Sequence, residues 1–221
     1  MAFLNTILEV FYPPQCMLCR QILGKEDGAY LCRLCEARIQ DEVESRAGVE
    51  GEETKKAVVA LFPYEGIYRK AILRWKYGGV RKYARGFAAL LVQKGVFKEI
   101  DAMLLIPIPA AASRLRKRGF NQSLDLAIEV GKLTGIQVLD CLKRSKDTRP
   151  QAECTREERY SNIRGKMTME KYSGQDIKSI VLIDDIYTTG STIREAVRVI
   201  RKEYAFREAV IWTVVIGKGK F

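Results

Sequence analysis

Histidine is missing from all 221 residues. Its absence excludes Ser-His-Asp and Cys-His nucleophilic catalysis and any His-ligated metal. A reaction run by this chain must lean on carboxylates, cations, backbone dipoles or a bound Mg²⁺. Long apolar runs are missing too: none approaches the ~20 residues that a membrane-spanning helix needs, so no membrane insertion is expected. Met1–Phe11 has apolar residues but no basic n-region and no small-residue cleavage site. That speaks against a secretory signal and makes the cytoplasm the expected compartment. Acidic residues are scarce in the middle of the chain: residues 61–180 carry a net +12, against −3 for residues 1–60 and +2 for residues 181–221, within a total of +11. A basic excess placed there favours an anionic partner, either a pyrophosphorylated small molecule or a nucleic acid.

Cysteine is sparse, six in all, yet four residues fall close together as Cys16-x2-Cys19 and Cys32-x2-Cys35. Two such knuckles supply the four thiolates that tetrahedral structural zinc prefers. Disulfides are the alternative, but a reducing cytoplasm argues against them, and a redox Cys-x-x-Cys would not explain a matched pair. With four protein ligands no coordination position stays open, so the zinc reads as structural. Pro13-Pro14, Gly24 and Gly28 suit a loop-rich ribbon too small to hold together on apolar content alone. Residues 41–56 are acidic, with two glycines and few apolar side chains. The expected organisation is an N-terminal helix and four-cysteine zinc ribbon over 1–45, an acidic linker over 46–56 and the main domain over 57–221. Cys141 reads as a small buried hydrophobe, and Cys154 has no partner identifiable from sequence.

The most informative stretch runs from Val181 to Thr192, Val-Leu-Ile-Asp-Asp-Ile-Tyr-Thr-Thr-Gly-Ser-Thr. Ile180 to Ile183 form an unbroken aliphatic run, as a strand buried on both faces of a parallel sheet would. Asp184 and Asp185 follow at its carboxyl end, where open α/β sheets place their ligands. Thr188, Thr189, Gly190, Ser191 and Thr192 then form a small hydroxylated turn. Beyond it Ile193, Ala196, Val197, Ile200 and Tyr204 recur at helical spacing. Backbone N–H groups and hydroxyls at a helix start make a phosphate site. A phosphate would sit poorly beside two carboxylates, so these should face something neutral and hydroxyl-bearing. A ribose 5-phosphate satisfies both halves, with phosphate in the turn and the 2- and 3-hydroxyls on the acidic pair. The bland alternative is an acidic turn capping a helix, with Ser191 or Thr192 as N-cap. The motif resembles the 5-phosphoribosyl-1-pyrophosphate (PRPP) motif of type I phosphoribosyltransferases: two acids, two spacers, then Thr-Thr-Gly-x-Thr.

Elsewhere, Ala57 to Phe62 and residues 102–109 read as buried strands, the second stopped by Pro107 and Pro109. Arg114, Arg116, Lys117 and Arg118 then make a basic loop before a helix opened by Leu124, Ala127 and Ile128. Such a loop suits a pyrophosphate clamp, because arginine binds phosphoryl oxygens in bidentate fashion. Its alternative is a solvated or DNA-contacting loop. Residues 64–87 interleave six aromatics with seven cations. Tyr68, Ile72 and Trp75 at i, i+4 and i+7 favour a core-facing helix with solvated cations, against a surface stacking single-stranded nucleic acid. Val138 to Leu142 is a short strand, residues 143–166 a candidate substrate lid, and residues 209–216 a last strand.

Three blocks together resemble the competence protein F (ComF) family: the paired Cys-x2-Cys ribbon, Pro107-Ile-Pro109 with Arg114-x3-Arg118-Gly119-Phe120-Asn121-Gln122, and Asp184 to Thr192. The resemblance extends through Gln151 and Arg159-x2-Asn162. It implies an α/β fold of the type I phosphoribosyltransferase kind over residues 57–221, a central parallel sheet flanked by helices, and a cytoplasmic role in natural transformation. As an enzyme the protein would bind PRPP with Mg²⁺ and transfer the phosphoribosyl group to a nitrogen acceptor. Asp184 and Asp185 would be the catalytic carboxylates, Thr188 to Thr192 would hold the 5-phosphate, and Arg114, Lys117 and Arg118 the pyrophosphate. The competing class is a non-catalytic competence module binding single-stranded DNA and a helicase partner through its ribbon and basic surface.

Overall fold

The computed structural model describes residues 12–43, 58–93, 103–144, 164–172, 179–204 and 208–216. The expected N-terminal helix, the 46–56 linker, most of the candidate lid and Cys154 lie outside the described residues. Among the described residues seven strands and six helices follow in chain order: α1 (Arg33–Val43), β1 (Val58–Pro63), α2 (Gly66–Tyr77), α3 (Tyr83–Gln93), β2 (Met103–Pro107), α4 (Ala112–Arg118), α5 (Gln122–Thr134), β3 (Gln137–Val138), β4 (Leu142–Arg144), β5 (Met167–Met169), β6 (Ser179–Tyr187), α6 (Ser191–Glu203) and β7 (Glu208–Ile216).

β1, β7, β6, β2 and β3 form one sheet in that order, and each pairing is parallel. The apolar runs of β2 and β6 explain why they sit at its centre. Alternate side chains of a strand point to opposite faces, so an unbroken run needs cover on both. Val181, Ile183 and Leu105 join a core with α2, α3 and α5. Ile180, Leu182, Leu104 and Ile106 join a second core with α6, Leu142 and Met167. A short antiparallel pair, β4 with β5, packs beside this second core. The fold is thus the expected parallel sheet flanked by helices.

Several local details differ from the sequence expectation. The basic segment after β2 is the helix α4, because Ala112, Leu115, Arg and Lys are all good helix formers and Gly119, at φ 78°, ends it in the left-handed region. α5 buries Ser123, Leu126, Ala127 and Val130, a stripe rotated from the one expected, and leaves Ile128 exposed. Residues 138–142 are split: the pairing of β3 ends at Val138, and Leu142 opens β4 in the other sheet. In α2, Tyr68, Ile72 and Trp75 are buried as the periodicity requires, and Phe62 stacks on Tyr68 at 4.4 Å between ring centroids.

The cysteine ribbon packs directly on this domain. Cys16, Met17, Leu18 and Leu31 share the core of α2 and α3. Arg74 of α2 donates to the carbonyls of Met17 and Leu18 at 2.9 and 2.7 Å, clamping the first knuckle. Gly86 of α3 admits the contact, since a Cβ there would lie 2.5 Å from Met17 Sδ.

Candidate active site

β2 and β6 are neighbours, but the chain leaves their carboxyl ends in opposite directions. β2 runs through α4 and α5 to β3 on one side, and β6 runs through α6 to β7 on the other. This is a topological switch point, where an open α/β sheet leaves a crevice between departing loops. A cavity of about 580 Å³ occupies it, lined by residues of α2, α4, α5, β6 and the β6–α6 turn.

β6 extends to Tyr187, so Asp184 and Asp185 lie inside the strand rather than just past it. Gly190, not Ser191 or Thr192, is the N-cap of α6. Its φ of 68° lies in the left-handed region, and a Cβ there would come within 2.6 Å of the Tyr187 hydroxyl. Only glycine meets both constraints. Thr188, Gly190, Ser191 and Thr192 line the cavity at the start of α6, while the Thr189 hydroxyl lies 2.7 Å from that of Ser191.

The acidic pair is held by three elements. The Asp185 N–H donates to Asp184 Oδ1 at 2.8 Å, and Ser123 Oγ of α5 donates to the same oxygen at 3.3 Å. Lys76 of α2 places its Nζ 2.8 Å from Asp185 Oδ1. Burial, with the charge of Asp185 next to it, pushes the Asp184 carboxyl up to about 7, against the lowering effects of the Asp185 N–H, Lys76 and Ser123. Sequence reasoning counted Lys76 among solvated cations. A signal was present: Tyr68, Ile72 and Lys76 are spaced i, i+4, i+8, which puts a lysine on the buried stripe.

Opposite the acids, α4 is short but oriented. Arg114, Lys117 and Arg118, at i, i+3 and i+4, line the cavity on one helix face. Arg118 donates to Gln122 Oε1 and to the Tyr77 hydroxyl, each at 3.0 Å, and its guanidinium lies 4.7 Å from the Tyr77 ring centroid. Burial works to raise the Tyr77 phenol, yet the Arg118 hydrogen bond and the charges of Arg118, Lys76 and Arg114 hold it below its ordinary value. Three cations thus gather around this phenol. Asn121 ties the α4–α5 turn to the sheet, accepting from Ser123 N and donating to the Ile108 carbonyl.

The four ribbon cysteines form a separate centre, with no share in lining the cavity. Their sulfurs all lie within 4.8 Å of one another, and Cys19 Sγ is 3.6 Å from Cys32 Sγ. Thiolates at ~2.3 Å from one zinc ion would be about 3.8 Å apart, so the cluster could hold such a metal. Although burial opposes it, N–H groups of Cys19, Cys32 and Leu18 bring the Cys16 thiol down to about 7. Burial, then the neighbouring sulfurs, push Cys19 and Cys35 up. Ionising Cys19 and Cys35 beside Cys16 therefore calls for a cation among them. Cys141 is buried, as expected of a small hydrophobe, and burial raises its thiol to about 11.

No protein-family model matches the chain. Competence protein ComFC of Streptococcus pneumoniae is 30% identical over 144 residues, 65% of this chain and 61% of that protein. Competence protein ComFC of Bacillus subtilis is 25% identical over 197 residues, covering 83% of this chain and 76% of its own. Competence protein F of Haemophilus influenzae is 28% identical over 110 residues, 49% and 48% of the two chains. The chain resembles the competence protein F proteins. Among solved structures, adenine phosphoribosyltransferase of Leishmania donovani is similar with a TM-score of 0.41 at 10% identity, covering 78% of this chain and 86% of that one. Of the three sequence blocks that carry the resemblance, two line the switch-point cavity and the third builds the ribbon. Beyond those blocks the cavity also gathers Tyr64, Lys76, Tyr77, Ser123 and Arg144.

Proposed function

We propose that the cavity binds PRPP with its Mg²⁺ and transfers the phosphoribosyl group to a nitrogen acceptor, releasing pyrophosphate. The observation that carries this reading is the convergence of three chemically distinct walls on one space: two carboxylates, a hydroxylated helix start and a face of three cations. The α6 start suits the 5-phosphate, because its N–H groups and helix dipole favour an anion. The carboxylates suit the ribose hydroxyls. Arg114, Lys117 and Arg118 suit the pyrophosphate, to which Mg²⁺ comes bound as part of the substrate.

In the reaction the bond from ribose C1 to the pyrophosphate oxygen breaks, and its electron pair leaves with the pyrophosphate. The lone pair of the acceptor nitrogen forms the new bond to C1, and the nitrogen's proton passes to solvent. Positive charge grows on the ribose ring as the leaving group departs, close to Asp184 and Asp185, which stabilise it. The α4 cations stabilise the departing anion. The names of the relatives point to competence, and the process we assign the activity to is DNA uptake.

The test is calorimetric titration with PRPP and Mg²⁺. Wild type should bind saturably, and Asp184→Asn with Asp185→Asn should lose binding by a hundredfold or more. Equal binding by wild type and the double variant would overturn the site assignment. No binding at millimolar PRPP, together with DNA affinity that falls steeply with salt, would favour the competing module.

A further inference from the structure

Lys76 is a charged side chain that this fold buries. Its side chain is 10% exposed and that of Asp185 15%, and both face the cavity. Its position is tightly set by its neighbours in α2. Trp75 is fully buried, and Arg74 is clamped to the ribbon carbonyls. The last turn of α2 is therefore anchored on two sides, and the ammonium reaches Asp185 from a rigid base. The hydrogen bonds to the acidic pair fall on Asp184 Oδ1, with Lys76 on Asp185 Oδ1. Among the described residues the second oxygen of each carboxylate accepts none.

We propose that Lys76 is a positioning residue of this site: it holds Asp185 beside Asp184 and leaves the second oxygen of each carboxylate to accept from the two hydroxyls of a phosphorylated ribose. The inference deepens the reading above and rests on it. Two adjacent carboxylates repel, so one of them keeps a proton to higher pH than a lone carboxyl does, and to higher pH still when a countercharge is removed. A protonated carboxyl accepts a hydroxyl hydrogen bond less strongly than a carboxylate. Lys76 opposes that protonation from α2. The other charged and titratable groups lining the pair's cavity are Tyr64, Tyr77 of α2, Arg114, Lys117 and Arg118 of α4, Arg144 of β4 and Tyr187 of β6, and Ser123 of α5 bonds the pair. Lys76 alone among the described cations is ion-paired with either carboxylate.

The experiment compares wild type, Lys76→Met and Lys76→Arg by PRPP–Mg²⁺ titration from pH 6.5 to 9, alongside carboxyl ¹³C titration of Asp184 and Asp185 in the ligand-free protein. In Lys76→Met the low-pH limb of the affinity profile should move up by about one pH unit, giving roughly tenfold weaker binding at pH 7 that narrows toward pH 9. The carboxyl titration should move the same way, and Lys76→Arg should restore both. A folded Lys76→Met whose affinity falls equally at every pH, with unmoved carboxyl titration, would overturn the inference. Should wild type bind no PRPP, the ribose reading falls, and the carboxyl titration still decides whether Lys76 controls the pair.

Discussion

At Asp184 burial and a neighbouring charge outweigh three favourable contacts, and the carboxyl titrates near 7 instead of in the usual acidic range. The linkage has a definite sign. Between the ordinary Asp value and about 7 the folded chain holds a proton that the unfolded chain has lost, so this group's contribution to stability falls as pH rises through that window. Asp184→Asn carries no such proton. It should gain stability relative to wild type from pH 4 to pH 7, on the order of 3 kcal/mol, since a tenfold change in proton affinity is worth about 1.4 kcal/mol. Denaturant midpoints of both proteins across that range provide the check. A constant difference between them would show that Asp184 is ionised throughout. The motif was legible as a pair of acids, but nothing in its spelling told which oxygen is occupied or that a lysine over a hundred residues earlier completes it.

The β6–α6 turn shows how an element terminus becomes a site. Nine residues of strand end at Tyr187, and the chain must reverse within three residues to lay α6 on the opposite face of the sheet from α5. A left-handed Gly190 makes that reversal while Tyr187 closes over it. Gly190→Ala should cost about 2 kcal/mol through backbone strain and the collision with Tyr187. It should also weaken phosphate binding tenfold or more, by displacing the start of α6. Adding Tyr187→Phe removes the hydroxyl at 2.6 Å and should recover part of the stability, but not the backbone part. Thermal melting and ribose 5-phosphate titration of the three proteins separate these effects. An unstrained, fully active Gly190→Ala would rule out the turn's assigned role. α4 carries the opposite lesson: the run of cations reads as a basic loop suited to a pyrophosphate, yet their helix propensity and the Gly119 stop make it a helix with three of them on one face.

Across the whole molecule, α2 joins two centres. Arg74 holds the ribbon, Trp75 fills the core, and Lys76 holds the acidic pair. With zinc in the cysteine cluster, as the four thiols allow, its removal should therefore be felt beyond the ribbon. Arg74 would lose two charge-assisted hydrogen bonds of roughly 1.5–3 kcal/mol each, and Met17 and Leu18 would leave a shared core. For a chain of this size a loss of several kcal/mol lowers the melting temperature by about 10 °C or more. Chelation, or Cys35→Ser, should produce that drop, with metal analysis giving one zinc per chain beforehand and PRPP affinity falling with it. A metal-free protein that melts at the wild-type temperature would mean that the ribbon contributes nothing to the domain.

The sequence by itself determined the local chemistry: four thiols in two knuckles, an aliphatic run that needs cover on both faces, two acids followed by a hydroxylated turn, and a basic segment after a proline-stopped strand. Each is a short-range pattern, set by side-chain type and by the periods of strand and helix. What only the tertiary structure decided is who meets whom. Strand order makes β2 and β6 neighbours and sends their chains apart, which opens the cavity and draws α4 over the acidic pair. The packing of Trp75 turns Lys76 inward, and Arg74 fastens the ribbon to the same helix. These contacts join residues tens to more than a hundred positions apart, and no local periodicity encodes a partner at that distance.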